Sequence, residues 1–136
     1  MATLDDATEH PNLADLRASR WYKPDSDELE TVRHAAWERI HELNSLGNLN
    51  SERAEELLKG ILAPGSAIPE VFAPLQVEFG AHTTFGEGCF INYNCVILDV
   101  SEVTVGERTL FGPACQLITV EHPVNDAAAR ADGWER

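Results

Sequence analysis

The chain has 136 residues and a mass of 15.0 kDa, and its 10 lysines and arginines against 23 aspartates and glutamates give a formal net charge of −13. Hydrophobic residues make up 43% of the sequence, which is typical of one globular domain and excludes a wholly disordered chain. Such an acidic protein repels phosphate backbones, which argues against nucleic-acid binding. No apolar stretch approaches the roughly 20 residues of a membrane span, and the acidic start lacks a secretory pattern, so we expect a soluble, cytoplasmic protein.

The first part of the chain carries the periodicity of α-helices. A short helical piece is expected over about residues 12–19. Between residues 27 and 44, apolar side chains recur every three or four positions among charged ones, which predicts an amphipathic helix with one face on a core. The apolar stripe of this helix consists of Leu29, Val32, Ala36, Ile40 and Leu43.

A further helix is expected after a turn-prone linker. Asn50 or Ser51 can cap a helix over residues 52–59, and Gly60 could terminate it. Prolines then break the pattern, because each one removes a backbone donor and restricts its neighbour. These prolines are Pro64, Pro69 and Pro74.

An internal repeat of six residues follows, so we divide the chain into a helical domain, residues 8–65, and a repeat domain, residues 66–136. The repeat consists of bulky apolar anchors six positions apart, with one two-residue shift: Phe79, Phe85, Ile91, Ile97, Val105, Phe111 and Leu117. Glycine follows four of these anchors, and the fourth position after an anchor is mostly small. Three hexads can close one triangular coil, with the anchors inside and coils about 4.8 Å apart, which predicts a parallel β-helix.

The three cysteines fit this repeat as packing residues. They form no CxxC pair, so the sequence suggests neither a disulfide framework nor a zinc knuckle. Cys95 and Cys115 lie three hexads apart in the register of the repeat, and we expect them to stack in one column of adjacent coils. We therefore interpret the cysteines as small buried residues and not as reactive thiols.

Several motifs accompany the repeat and together resemble one enzyme family. They are Phe90–Asp99, Phe111–Pro113 and His122–Pro123 in the repeat domain, and Arg17–Ser19 before Trp21 and Tyr22, then Asp27–Leu29 followed by Arg33, in the helical domain. From about Asp15 onward the chain resembles the maltose/galactoside O-acetyltransferases. The resemblance implies a mainly β fold, a left-handed parallel β-helix of hexapeptide repeats, incomplete here, with an N-terminal α-helical cap.

The resemblance also implies an activity: transfer of an acetyl group from acetyl-CoA to a hydroxyl of a sugar or similar small acceptor. It further implies a homotrimer with its sites in clefts between neighbouring β-helices. His122 matches the catalytic histidine, the general base. Asn92 matches an asparagine that contacts the acceptor, and Phe90 matches an aromatic residue of that pocket. Arg33 matches a cap arginine near the acceptor, and Glu78 stands where relatives place Asp or Ser.

The chemistry of these side chains is compatible with such a site. An alcohol must lose its proton as it attacks a thioester, and a histidine with an ordinary pKa near 6.5 can accept that proton at neutral pH. Structural interpretations stay open for the other residues. Asn92 can be a corner residue with left-handed backbone, Arg33 a solvated ion-pair partner, and Phe90 a core residue.

The chain departs from the family pattern at two acceptor positions and at its end. Lys23 stands where many relatives carry an acidic residue, and Val100 where one branch has an aspartate, so the acceptor stays open. Relatives continue with further hexads beyond Arg136, and we expect most of the acetyl-CoA site to be absent from this chain. The cations from residue 75 onward, set against nine acidic residues, are Arg108, Arg130 and Arg136. Binding of coenzyme A phosphates normally uses more positive charge or helix N-termini.

Two alternatives remain. A γ-class carbonic anhydrase shares this kind of fold, but its zinc needs three histidines and the repeat holds only His82 and His122, so we expect no metal. The chain could also be a catalytically inactive, truncated acyltransferase-like protein that acts as a structural or oligomerisation module. An open end of a β-helix exposes unpaired backbone groups, which is compatible with that second alternative.

Overall fold

The computed structural model describes residues 11–24 and 26–136. The helices in this part are α1 (Leu13–Arg17), α2 (Asp27–Ser45), α3 (Glu52–Ile61) and α4 (Ala127–Ala131). The strands are β1 (Glu70–Val71), β2 (Leu75–Val77), β3 (Thr83–Phe85), β4 (Phe90–Ile91), β5 (Cys95–Leu98), β6 (Val103–Val105), β7 (Leu110–Phe111) and β8 (Gln116–Ile118). The first three residues of the predicted helical domain, 8–10, lie outside the described residues, and the two domain limits stay a prediction.

The first three helices begin at polar caps. The Asn12 side chain accepts hydrogen bonds from two backbone N–H groups of α1, and Ser26 and Ser51 each accept one at the start of α2 and α3. The cap of α3 is therefore Ser51 and not Asn50. None of the helices in residues 11–24 and 26–136 combines the length and apolar character that a bilayer span requires. The cytoplasmic location stays a prediction.

The expected end of α3 at Gly60 is wrong, because the helix continues to Ile61. A Cβ atom on Gly60 would lie 3.0 Å from Nε of Arg39, so the glycine leaves room for the Arg39 side chain of α2. Ile61 is buried in the main core. Its burial outweighs the cost of about 1 kcal/mol for a glycine inside a helix.

Helix α2 connects the helical domain, called the cap from here on, to the repeat domain. Its buried residues are Leu29, Ala36, Ile40 and Leu43, which confirms the predicted stripe, and Val32 is partly buried. The Asn44 side chain exchanges two hydrogen bonds with the backbone of Leu75, at 2.8 Å to the carbonyl and 3.0 Å from the N–H. The cap is thus fastened to the first coil by both apolar packing and a polar contact.

The strands form three parallel sheets, in the orders β1-β4-β7, β2-β5-β8 and β3-β6. Each strand pairs with the strand 20 residues later, as in the series Glu70, Phe90 and Leu110. Three sheets that are visited in turn and paired one coil further along define a parallel β-helix. The predicted architecture is confirmed, with a coil of 20 residues instead of 18.

The longer coil corrects the predicted set of anchors. The inward residues in register are Val71, Val77, Phe85, Ile91, Ile97, Val105, Phe111 and Leu117. The steps are six residues except from Val77 to Phe85 and from Ile97 to Val105, where they are eight. Each coil therefore carries a two-residue insertion at the same corner, which we call the insertion corner (residues 78–82 and 98–102). Phe79 belongs to this corner and packs under the cap, not inside the β-helix.

The insertion corner is locked by the fully buried side chain of Asp99. Its Oδ1 accepts from the N–H groups of Phe79 (2.9 Å) and Gly80 (3.0 Å), and its Oδ2 accepts from the Thr83 hydroxyl (2.9 Å) and the His82 N–H (3.2 Å). Gly80 has a φ of +70°, and a Cβ there would lie 2.5 Å from the Ile61 carbonyl oxygen. One side chain thus satisfies four donors of the preceding coil.

Cys95 and Cys115 occupy the predicted column. Cys95 is in register with Leu75, and Cys115 follows at the equivalent place of the next coil, where its carbonyl accepts from Val96 at 2.9 Å. The Sγ atoms of Cys89 and Cys95 donate to backbone carbonyls at 3.1 and 3.3 Å. All three thiols are free; Cys89 and Cys95 are buried as expected, whereas Cys115 in the last coil is only partly buried. Their low reactivity stays a prediction.

Replacing Asp99 with alanine is expected to lower the free energy of unfolding by about 3 kcal/mol or more, because it leaves several buried donors without an acceptor. Urea denaturation followed by circular dichroism measures this change. The matched control is Glu102→Ala, an exposed carboxylate 3.8 Å from Arg17, for which we expect a loss below about 1 kcal/mol. Equal losses in the two variants would contradict the role of Asp99.

Candidate active site

The imidazole of His122 lies in a loop that folds back on itself. After β8, helix α4 and a turn return the chain so that residues 134–136 run beside His122. Glu121 and Arg136 exchange backbone hydrogen bonds of 2.8 and 2.9 Å. The Nδ1 atom of His122 lies 3.2 Å from the carbonyl oxygen of Trp134. A carbonyl only accepts, so in the neutral imidazole this contact favours the proton on Nδ1, and the lone pair then lies on Nε2.

A carboxylate lies near that second nitrogen. Oε2 of Glu135 is 3.8 Å from Nε2 of His122, and the two side chains are 13% and 49% exposed. A negative group at this distance stabilises an imidazolium once Nε2 has taken a proton. Sequence reasoning missed Glu135, because it stands 13 positions after His122 and the two meet only through the returning loop. No sequence motif around His122 indicates that Glu135 lies beside it.

The other oxygen of Glu135 is bound to the helical cap. Oε1 accepts a hydrogen bond of 2.7 Å from the hydroxyl of Tyr22, whose side chain is 1% exposed. Burial, followed by the hydrogen bond and charge of Glu135, raises the pKa of Tyr22 well above its usual range. The hydroxyl therefore stays a donor at all ordinary pH values. The sequence identifies Tyr22 only as part of a motif and does not place it in the site.

Two of the predicted acceptor residues lie beside this tyrosine. Nη2 of Arg33 donates to Oε1 of Glu78 at 3.3 Å, and the guanidinium carbon lies 5.1 Å from the centre of the Phe79 ring. Burial raises the pKa of Glu78, the nearby charge of Glu135 adds to this effect, and Arg33 opposes it. The charges of both Arg33 and Glu78 also act on the Tyr22 hydroxyl. We call the set Arg33, Glu78, Tyr22, Glu135 and His122 the cap–loop cluster.

The remaining predicted residues, Phe90 and Asn92, lie elsewhere. Phe90 is in β4 and makes an edge contact of 4.9 Å with Phe72, and the Asn92 side-chain oxygen accepts from the N–H of Tyr93 at 2.8 Å. Asn92 precedes β5, whereas His122 follows β8, and these strands pair in parallel. The two residues therefore lie at opposite ends of one sheet. One chain does not bring them together.

The structure also tests the purely structural interpretations of Asn92, Phe90 and Arg33. The residue with left-handed backbone at this corner is Asn94, with a φ of 62°, and not Asn92. Phe90 is only half-buried and contacts the exposed ring of Phe72, so it is not a core residue. Arg33 does form ion pairs, with Glu30 at 3.4 Å and with the partly buried Glu78.

The described residues also bear on metals and cations. Within residues 11–24 and 26–136, no group of three His, Cys, Asp or Glu side chains is arranged to hold a metal ion. The Nδ1 atom of buried His82 faces the carbonyl oxygens of Asp99 (3.0 Å) and Val100 (2.9 Å). The late cations have nearby partners: Arg108 pairs with Glu107, Arg136 with Glu121, and Arg130 contacts the Pro123 carbonyl.

Comparisons with known proteins identify the family of this chain. No family model matches the chain. Nodulation protein L of Rhizobium meliloti is 32% identical over 123 residues, which cover 88% of this chain and 65% of that protein. The hexapeptide-repeat acetyltransferase VCA0836 of Vibrio cholerae superimposes with a TM-score of 0.74 at 30% identity, over 82% of this chain and 61% of that one. The chain belongs to the hexapeptide-repeat acetyltransferases.

Further solved structures agree with the fold of these acetyltransferases. A maltose O-acetyltransferase of Clostridium difficile gives a TM-score of 0.84 at 24% identity, over 90% of this chain and 65% of that one. VCA0836 has also been solved in complex with acetyl coenzyme A, and that structure gives a TM-score of 0.73 at 25% identity, over 91% of this chain and 67% of that one. The predicted left-handed β-helix with an N-terminal helical cap is confirmed. The chain spans 65% of the Rhizobium protein and 61% of the first Vibrio structure.

The cap–loop cluster makes a prediction about pH. Because its pKa is raised in the folded protein, Glu78 contributes most stability below its unfolded pKa, where it is protonated, and this contribution is lost as the pH rises through the folded value. We therefore expect the stability of Glu78→Gln relative to the wild type to increase from pH 4 to pH 7. Urea denaturation at both pH values measures the difference. The exposed control Glu87→Gln is expected to show no such trend, and a Glu78→Gln difference independent of pH would contradict the burial of this carboxyl.

Proposed function

We propose that this chain takes part in acetyl transfer from acetyl-CoA to a hydroxyl of a sugar or similar small acceptor, with His122 as the general base. The observation that carries the proposal is the imidazole geometry. Nδ1 lies 3.2 Å from the Trp134 carbonyl oxygen, so in the neutral ring Nδ1 donates there and Nε2 carries the lone pair, 3.8 Å from Glu135. This is the arrangement that a base requires, since one nitrogen is fixed and the other is able to accept a proton.

The reaction follows from this geometry. Nε2 of His122 accepts the proton of the acceptor hydroxyl as the hydroxyl oxygen forms a bond to the thioester carbonyl carbon. The positive imidazolium is stabilised by Glu135, whose oxygen lies 3.8 Å away. The carbon–sulfur bond then breaks, and the imidazolium returns the proton to the departing thiolate. The products are the acetyl ester and the free thiol of coenzyme A.

The acceptor would bind beside the cap. Arg33 offers guanidinium donors and Glu78 offers carboxylate acceptors within one ion pair of 3.3 Å, which suits the mixed donor and acceptor character of sugar hydroxyls. Lys23 is close by and pairs with Asp132 at 2.6 Å, so a cation stands at this edge of the site. These contacts specify the class of the acceptor, a small polyhydroxyl compound, but not its identity.

Asn92 and Phe90 would reach the site from a neighbouring copy in a homotrimer. In one chain they lie at the opposite end of the sheet strands from His122. The sheet that contains Phe90 presents an apolar outer face, since Leu110 is in register with Phe90 and is 72% exposed. Phe72 and Tyr93 extend this face, with their ring centres 5.1 Å apart and their planes tilted by 40°. Packing of such a face against a neighbouring β-helix would bury it and bring Asn92 toward the neighbour's cap–loop cluster.

The pairing of Arg108 and Arg136 with neighbouring carboxylates favours a second candidate function. Both guanidinium groups are partly neutralised by these carboxylates, whereas binding of coenzyme A phosphates normally uses unneutralised positive charge. An inactive structural or oligomerisation module is compatible with that arrangement. Such a module would assemble but would not release coenzyme A from acetyl-CoA.

The first test is acetyl transfer itself. The chain is incubated with acetyl-CoA and a panel of simple sugars, thiol release is followed with a chromogenic reagent, and the acetyl ester is identified by mass spectrometry. We expect His122→Ala to lower kcat by about 100-fold or more, because it removes the general base. His34→Ala, an exposed histidine on α2, serves as the control and should keep the rate. An unchanged rate in His122→Ala would exclude the base, and no transfer by a well-assembled wild type would favour the inactive module.

The second test addresses the shared site. His122→Ala and Asn92→Ala are each expected to be inactive, and an equimolar mixture that is allowed to exchange subunits should recover about a quarter of the wild-type rate, because one interface in four then carries both native residues. The measurement is the thiol-release rate before and after exchange. A mixture that stays inactive would show that both residues act within one chain.

A further inference from the structure

We propose that Tyr22 is a positioning residue, whose hydroxyl orients Glu135 so that the second carboxylate oxygen faces Nε2 of His122. This inference rests on the proposed role of His122 as a base. Its starting point is the continuous contact from the buried Tyr22 hydroxyl, 2.7 Å from Oε1, to Oε2, 3.8 Å from Nε2. The cap would thereby control the electrostatic surroundings of a residue that lies about 100 positions away in sequence.

The hydroxyl can act only as a donor toward Glu135. Burial holds the pKa of Tyr22 far above the working range, and the carboxylate oxygen is an acceptor. A glutamate side chain with one oxygen held by a buried donor has fewer rotamers than a free one. The other oxygen then stays on the side of His122.

The backbone separates this effect from simple cap docking. The N–H and carbonyl of Tyr22 exchange hydrogen bonds of 2.9 and 3.0 Å with the carbonyl and N–H of Glu135. The ring packs with Leu16, Leu29 and Phe79 in the buried core beneath the cap. Tyr22→Phe keeps both the backbone pairing and the ring, so it removes the hydroxyl contact alone.

A chemical probe tests the proposal without any acetyl transfer. Diethyl pyrocarbonate acylates the unprotonated nitrogen of histidine, and mass spectrometry of digests gives the rate at each histidine. A correctly placed carboxylate stabilises the positive charge that develops during this attack. We expect Tyr22→Phe to lower the rate at His122 by about threefold or more, as for coupled groups in contact, and to leave the exposed His34 of the same molecule unchanged.

Two further variants make the result specific. Asn44→Ala removes the polar contact between the cap and Leu75, away from the cap–loop cluster, and should leave the His122 rate unchanged. In a Glu135→Gln background, which lacks the carboxylate charge, Tyr22→Phe should cause no additional loss. An unchanged His122 rate in Tyr22→Phe would overturn the proposal. So would an equal loss in Asn44→Ala, or a full loss in the Glu135→Gln background.

The outcome is distinguishable from the fate of the proposed function. The modification rates are measured without acetyl-CoA, so a chain that transfers no acetyl group but shows the expected rates contradicts only the transfer. When the wild type is active, Tyr22→Phe should lower kcat by a similar factor with little change in the KM of either substrate. A change confined to KM would indicate a role in substrate binding and would contradict positioning.

Discussion

The pairing of residues 134–136 with two separate parts of the chain is the constraint on which the site depends. On one side Glu135 exchanges backbone hydrogen bonds with Tyr22 of the cap, and on the other Arg136 exchanges them with Glu121, next to the histidine. The same short segment supplies the Trp134 carbonyl to Nδ1 and the Glu135 carboxylate to Nε2. The tautomer of His122, its charged partner and the place of the cap are therefore set together.

The β-helix provides the place where these parts meet. Each 20-residue coil carries its two extra residues at one corner, and Asp99 holds this corner with four hydrogen bonds. At this corner the side chains of Phe79 and Val100 lie outside the β-helix interior and form a core with cap residues such as Leu29. His122 follows β8 at the equivalent corner of the next coil, 20 residues after Glu102. The cap and the histidine are neighbours because the cap packs along this corner, against Phe79, Val100 and the partly buried Val120.

Much of this architecture could be predicted from local patterns, and the failures have a common physical cause. The six-residue period gave the β-helix, and the apolar stripe of α2 gave the cap. Phe79 was misplaced because a bulky residue six positions before Phe85 has the same pattern whether it lies inside the coil or in an insertion. The Tyr22–Glu135 contact joins residues more than 100 positions apart, so no spacing in the sequence could indicate it. Asn92 and His122 matched family positions, but one chain holds them apart.

The tautomer of His122 tests the central claim most directly, since the proposed base requires a protonated Nδ1 and a bare Nε2. Long-range ¹H–¹⁵N correlation spectra of the labelled chain, recorded at a pH where His122 is neutral, distinguish the two ring nitrogens. The account predicts a protonated Nδ1 and an unprotonated Nε2. A neutral His122 with its proton on Nε2 would contradict the contact with the Trp134 carbonyl and, with it, the role of this histidine as a base.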